Sequence, residues 1–390
     1  MNLSRRARWA VPGTAVVATA AVIAGLEIPA AQASPVLPAR TPAQLLAEIS
    51  GAAKLPPLTG TVVETTSLGL PQLPQAGSPT SLTSLLTGSH TVKVYYQDAS
   101  HFRLAVPQPE SETDFISDGA KAWLWDSTSD SVTEFTGLAA RGKHVEKQPP
   151  VPVLTPQQAA DQVLKAVGKT TLVSVQDNVM IAGEPAYQLD LAPKDHRSLI
   201  GRVAIAIDAR YGMPLRVEVF AKGATSPAFQ VGYTALQFAA PAPANFAFTP
   251  PPGASVSVVN LGSDGKTAPS TGQQDTAGFG VYGTSWLTVA ELPQQDLMRG
   301  LGTGPAGSPA PSSSGPGPSG VMSGDGQAVI SAMLGSAKPV SGAWGSGTLL
   351  TTSLVSVLMT GGEVYVGAVE PSVLYAAVGH ASLSPGELPL

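Results

Sequence analysis

The chain has 390 residues, 22 Lys and Arg against 27 Asp and Glu, a net charge of −5 and no cysteine. An acidic balance with no Lys/Arg cluster after residue 8 excludes a protein that lives on phosphate contacts, so nucleic acid is not an expected partner. The missing cysteine excludes disulfides, thiolate metal sites, a Cys nucleophile and a lipidated N-terminal Cys, and the length suffices for two or three cores.

Arg5, Arg6 and Arg8 precede an uncharged stretch from Trp9 to Leu26, and Ala31-Gln32-Ala33 follows. Positive, apolar and small-residue regions in that order predict a signal peptide over residues 1–33, cleaved after Ala33, and an extracytoplasmic place in the cell envelope. The other reading keeps residues 9–26 as a membrane anchor. Next, Thr41-Pro42-Ala43-Gln44 has the layout of a capping box with Pro at the first helical position, and Leu45, Leu46 and Ile49 make one apolar stripe. Pro56-Pro57 ends that helix. The same device at Thr155-Pro156-Gln157-Gln158 starts a second helix with Val163, Leu164 and Val167 on one face and Gly168 as its stop.

Each helix stands before a block of strands. From Leu58 to Phe135 the pattern alternates: Val92, Val94 and Tyr96 share one side, as do Phe102, Leu104 and Val106. Asp118-Gly119 predicts a hairpin between the Phe115 strand and one carrying Trp123 and Trp125. The second block holds Val173, Tyr187 to Leu191, Val203 to Ile207, Leu215 to Val219 and Phe229 to Tyr233, and Pro250-Pro251-Pro252-Gly253 closes it. About eleven strands with only two helices predict a mainly β, α+β protein built on one strongly curved antiparallel sheet.

Residues 68–89 form a Leu-, Pro- and Ser-rich insertion, read either as a flap over an apolar cavity or as a loop packed on the sheet end. From Leu301 to Gly320, sixteen of twenty residues are Gly, Pro or Ser, which predicts a disordered linker. Strand-like segments from Val281 to Glu291, Thr348 to Met359 and Glu363 to Val369, with a helix from Pro371, predict a small α+β domain. The expected organisation is thus residues 34–258, a linker at 259–275, and a second domain over 276–390 interrupted at 301–320.

Catalytic constellations are not found. Gly302 to Gly307 satisfies the G-x-G-x-x-G spacing, but inside the linker and with Pro305 where a helix must start. Gly262 to Thr267 ends like a P-loop yet lacks the first glycine, since Asn260 stands there. His90, His101, His144, His196 and His380 are far apart with no metal-ligand spacing, Glu110, Glu112 and Asp114 read as solvated carboxylates, and no G-x-S-x-G elbow is present. No enzyme activity, cofactor or metal is expected. What remains is apolar surface beyond what one side of a sheet needs. Phe102, Leu104, Trp123, Trp125, Leu164, Tyr187, Leu189, Ile205 and Ile207 are candidates to line a concave binding face; in the competing reading the two helices fill that face as an ordinary core.

The order of these elements, with Ser117-Asp118-Gly119 before Trp123-Leu124-Trp125, then Ala182-Gly183-Glu184-Pro185-Ala186-Tyr187-Gln188-Leu189, Ile207-Asp208-Ala209-Arg210, Pro214-Leu215-Arg216-Val217 and Phe246 to Gly253, resembles the lipoprotein-carrier superfamily of LolA-like carriers and RseB-like regulators. The resemblance covers about residues 40–258. It implies a half-open β-barrel with a helical lid, holding acyl chains of a lipid or an acylated lipoprotein. Its RseB-like branch implies instead a sensor that binds a membrane anti-sigma factor, so a membrane regulator or transporter is a further implied partner. The tail from Gly283-Thr284-Ser285-Trp286 to the Leu374-Tyr375-Ala376-Ala377 helix looks like the extension of high-GC Gram-positive members.

Overall fold

The computed structural model describes residues 36–51, 55–69, 87–138, 168–261, 280–295 and 335–380, together with Thr155, Pro156, Gln158 and Ala160. The expected signal peptide 1–33, insertion residues 70–86, Leu164, His144 and the expected linker 301–320 lie outside them.

Both capping boxes form. The Thr41 backbone N–H donates to the Gln44 side-chain oxygen at 2.8 Å and the Gln44 N–H to Thr41 Oγ1 at 3.3 Å, starting α1 (Pro42–Gly51). Thr155 and Gln158 make the same exchange at 2.9 and 3.2 Å, and Pro156, Gln158 and Ala160 are helical. Two orphan amides are satisfied at each start, which is why the chain turns helical there and not a residue earlier.

Between the two helix starts run β1 (Leu58–Ser67), β2 (Thr87–Tyr96), β3 (His101–Pro107), β4 (Glu112–Asp118), β5 (Ala122–Asp126) and β6 (Ser131–Thr136). After the second come β7 (Thr171–Val175), β8 (Val179–Ile181), β9 (Glu184–Pro193), β10 (Ile200–Asp208), β11 (Pro214–Ala221), β12 (Phe229–Gln237) and β13 (Ser255–Asn260). They make one thirteen-stranded sheet in the order β13-β6-β5-β4-β3-β2-β1-β12-β11-β10-β9-β7, with β8 paired to β9. The protein is mainly β, and the sheet stays open, because its end strands β13 and β7 are not bonded to each other. It is also curled: β8 lies against β12, beyond β10 and β11.

Two strands depart from the sequence reading. β8 is a three-residue strand returning through Ala182 and Gly183, both at positive φ (51° and 87°), a tight turn whose first residue carries no glycine signal. The Pro250 to Gly253 run does not end the sheet. It turns the chain into β13, which joins β6 in parallel, with Val256 opposite Val132 and Val258 opposite Glu134.

The second sheet has the order β14-β15-β19-β18-β17-β16, from β14 (Gly280–Tyr282), β15 (Val289–Pro293), β16 (Lys338–Gly342), β17 (Gly345–Thr351), β18 (Ser356–Thr360) and β19 (Glu363–Gly367). Helix α2 (Pro371–His380) buries Val373, Leu374 and Ala377 against Val289, Leu358 and Tyr365. The expected single strand from Val281 to Glu291 is broken by a 3-10 turn, Ser285–Leu287, and the Thr348 to Met359 segment by a turn at 352–355 held through Thr352 Oγ1.

Candidate apolar binding face

Register decides which side chains share a face. In antiparallel pairs, directly opposed residues project to the same side. From Leu58 the chain of pairs runs to Tyr96, Phe102, Ser117, Ala122 and Phe135, and from Gly60 to Val94, Leu104, Phe115 and Leu124. In the other direction Val62 opposes Tyr233, and Glu64 opposes Val231, then Val217, Ile205, Leu189 and Val175. Phe102, Leu104, Tyr187, Leu189, Ile205 and Ile207 therefore lie on one face, the face that α1 covers.

Across β9 to β12 that face is a packed core. Leu189, Ile205, Ile207, Val217 and Val231 are 0 % exposed and cluster with Leu45, Ile49 and Ala160 from the two helix starts. Tyr187 is buried as well; its hydroxyl donates to the Pro38 carbonyl at 2.9 Å, and Arg40 sits 5.9 Å from its ring while pairing with Glu48. Gly60 belongs to the same packing, since a Cβ there would meet the Tyr233 ring at 2.8 Å. The helix-filled reading holds for this half, and Tyr187, Leu189, Ile205 and Ile207 are core residues with almost no surface to present to a ligand.

Trp123 and Trp125 require a correction. Trp123 opposes Ile116 and Glu134, and Trp125 opposes Asp114 and Val132, which places both on the reverse face. There the segment leading to β13 crosses over them: Phe248 lies 5.8 Å from Trp123 and 6.4 Å from Trp125, ring to ring, and Phe246 packs edge-on at 6.1 Å from His101. The Trp123 indole N–H donates to Glu134, itself paired with Lys121 at 2.7 Å.

What the first half of the sheet offers on the α1 face is different. Tyr96, Phe102, Phe115, Leu124 and Phe135 are half-buried, neighbours across β2 to β6, with Phe102 to Phe115 at 5.6 Å and Phe115 to Phe135 at 6.4 Å between ring centres. Leu104 lies among them at 9 % exposure. Of the residues proposed from sequence, Phe102 belongs to this strip; Phe115, Leu124 and Phe135 were missed. Their signal was present in the alternation, because Leu124 sits between the two tryptophans and must point the other way.

Polar groups on the α1 face gather at one end. Glu64 and His90, directly opposed on β1 and β2, and Thr66 are all at or below 8 % exposure. Burial pushes the His90 pKa down, and it pushes the Tyr233 hydroxyl up. On the reverse face Arg103 donates to Glu112 at 2.9 Å and to Asp114 at 2.5 Å, yet burial outweighs this attraction and raises the Asp114 pKa to about 6. Among the described residues no three His, Asp or Glu side chains gather as a metal site would require, and no helix is long and apolar enough to cross a membrane.

No protein-family model matches the chain, and no curated protein is similar to it in sequence. Solved structures do match. The structure described as the Pseudomonas aeruginosa MucA/MucB complex is 14% identical, over 89% of this chain and 99% of that one, with a TM-score of 0.39. A LolA superfamily protein from Nitrosomonas europaea is 10% identical over 54% of this chain and 99% of its own, with a TM-score of 0.19. A putative outer membrane lipoprotein-sorting protein domain from Vibrio parahaemolyticus is 12% identical over 50% and 90%, with a TM-score of 0.20. At TM-scores below 0.5, the reading of the site rests on the face itself.

Proposed function

We propose that this chain is a non-enzymatic cell-envelope protein that shelters a lipid or the acyl chains of a lipoprotein, as a carrier or chaperone, and that the strip Tyr96, Phe102, Phe115, Leu124 and Phe135 is where the chains lie. The observation that carries this reading is the contrast on one face: across β9 to β12 the side chains are almost fully buried, whereas across β2 to β6 the buried Val92, Val94 and Leu104 are bordered by the half-buried Tyr96, Phe102, Phe115, Leu124 and Phe135. A contiguous apolar surface left partly open is the usual mark of a binding site. Burying a chain of about a dozen methylenes at ~0.8 kcal/mol each supplies about 10 kcal/mol before association costs, so no polar chemistry is needed for affinity. The Arg5 to Ala33 layout supports export to the compartment where such cargo is found.

Titration with palmitate carrying an environment-sensitive fluorophore tests the reading. Saturable uptake that weakens when Phe115 is replaced by Ser is the expected result. A native chain that produces no fluorescence change, or a variant that binds as well as the native chain, counts against it.

A further inference from the structure

An open sheet has edges, and an edge strand presents amides and carbonyls to which another strand can add. The two sheets end on β13 and β7, and on β14 and β16. β7 begins under the small sheet: the Trp286 N–H donates to Thr171 Oγ1 at 2.7 Å, and Thr170 Oγ1 donates to Ser285 Oγ at 2.9 Å. β14 has only three residues, and β16 carries Lys338 and Pro339, which discourage pairing. β13 has none of these guards. Its six residues, Ser255–Asn260, include no charge and no proline, and Val256 and Val258 are 50 % and 62 % exposed.

The ladder with β6 decides which backbone groups face the open side. The Ser255 N–H donates to the Asp130 carbonyl at 2.9 Å and the Leu261 N–H to the Thr136 carbonyl at 2.8 Å. Successive residues of a strand turn their N–H and C=O to opposite edges, so Ser257 and Val259 also face β6 while Val256 and Val258 turn theirs outward. Among the described residues no strand is bonded to that outward side. The two valine side chains, opposite Val132 and Glu134 on β6, project on the reverse face of the sheet.

We propose that β13 pairs with β13 of a second copy of this chain, antiparallel, about a two-fold axis at Ser257. In that register Val256 of each copy opposes Val258 of the other, and Ser257 opposes Ser257. The outward groups of Val256 and Val258 then form two hydrogen-bonded pairs, each exchanging both bonds, and the exposed valines meet valines on one face. Centring the axis on Val256 or Val258 instead sets one valine against Ala254 or Asn260. The match of the strand to itself selects a copy over a foreign strand, and so does charge: the chain carries −5 overall, yet this edge meets its copy with no like charges opposed. A strand pair is small beside the ~1,600 Å² of a standard stable complex, so the dimer is one that dissociates on dilution.

Sedimentation of the whole chain over a range of concentrations tests this, and the mass is expected to rise from one chain to two. Val258→Lys places a charge on the edge and is expected to move the midpoint to at least about tenfold higher concentration, with circular dichroism and unfolding midpoint unchanged. A second variant reads the register. The chain has no cysteine, and residues 257 of the two copies form a non-hydrogen-bonded pair with Cα atoms ~4.5 Å apart, within disulfide reach. Ser257→Cys is therefore expected to cross-link into a dimer under copper–phenanthroline and air, whereas Val256→Cys, whose two copies lie diagonally at about 7–8 Å, is expected to cross-link far more slowly. A chain that stays monomeric at every concentration overturns the proposal and leaves the edge to a strand from a different protein. A dimer that Val258→Lys does not weaken overturns it as well, as does Ser257→Cys cross-linking no faster than Val256→Cys.

Discussion

The two halves of the α1 face follow the same alternating pattern and meet different fates. Leu189, Ile205 and Val217 lie in a closed cluster with Leu45 and Ile49, whereas Phe102, Phe115, Leu124 and Phe135 keep part of their surface open. Period-two alternation says which way a side chain points; it does not say what stands opposite. The fill comes from elements distant in sequence, α1 and the helix start at Thr155, whose Leu45, Ile49 and Ala160 join the cluster of the filled half.

Three substitutions sharpen or break this contrast. Leu189→Ala, in the filled half, is expected to cost about 2–5 kcal/mol in denaturant unfolding, because the cavity cannot collapse between β9, β10 and α1. Phe115→Ser, in the open half, is expected to weaken binding of the fluorescent palmitate about tenfold, or ~1.4 kcal/mol, with a smaller loss of stability than Leu189→Ala. If both variants lose stability equally, the halves do not differ. Thr41→Ala removes the cap of α1 and is expected to cost about 1 kcal/mol in the same unfolding experiment, since α1 covers the filled half.

A further prediction, in pH dependence rather than in one stability value, concerns the reverse face. Asp114 has a pKa raised in the fold, to about 6, by burial that outweighs Arg103. A carboxyl whose folded pKa lies above its unfolded value favours the fold most at low pH, and that stabilisation is lost as pH rises from the usual carboxylate range through about 6. Unfolding of the native chain is expected to show this decline, and Asp114→Asn to flatten it; a variant that keeps the same slope contradicts the assignment to Asp114.

Much of the fold was legible locally. Thr41 and Thr155 announced their helices, and Asp118-Gly119 announced its hairpin, where the Asp118 side chain accepts from the Ala120 and Lys121 amides at 2.9 and 2.8 Å. The candidate site was less legible because its parity passes through loops. Phe102 shares a side with Leu124 rather than Trp123 only because the connections after Pro107 and Asp118 set the pairings Pro107 to Glu112 and Ser117 to Ala122. One residue more or less in either loop flips every partner. The two tryptophans drew attention by size, and the Phe248 segment that covers them returns from more than a hundred residues downstream. Trp286 was equally hidden: a strand-like stretch gave no sign that Ser285 would adopt φ 56° and send the indole into another sheet.

The most direct test of the central claim is the content of the protein purified from its source without detergent, extracted and analysed by mass spectrometry alongside Phe115→Ser. The account predicts acyl-chain lipid near one equivalent per chain in the native protein and a marked loss in the variant. A folded native chain that carries no lipid and takes none up, or a variant with equal content, contradicts it.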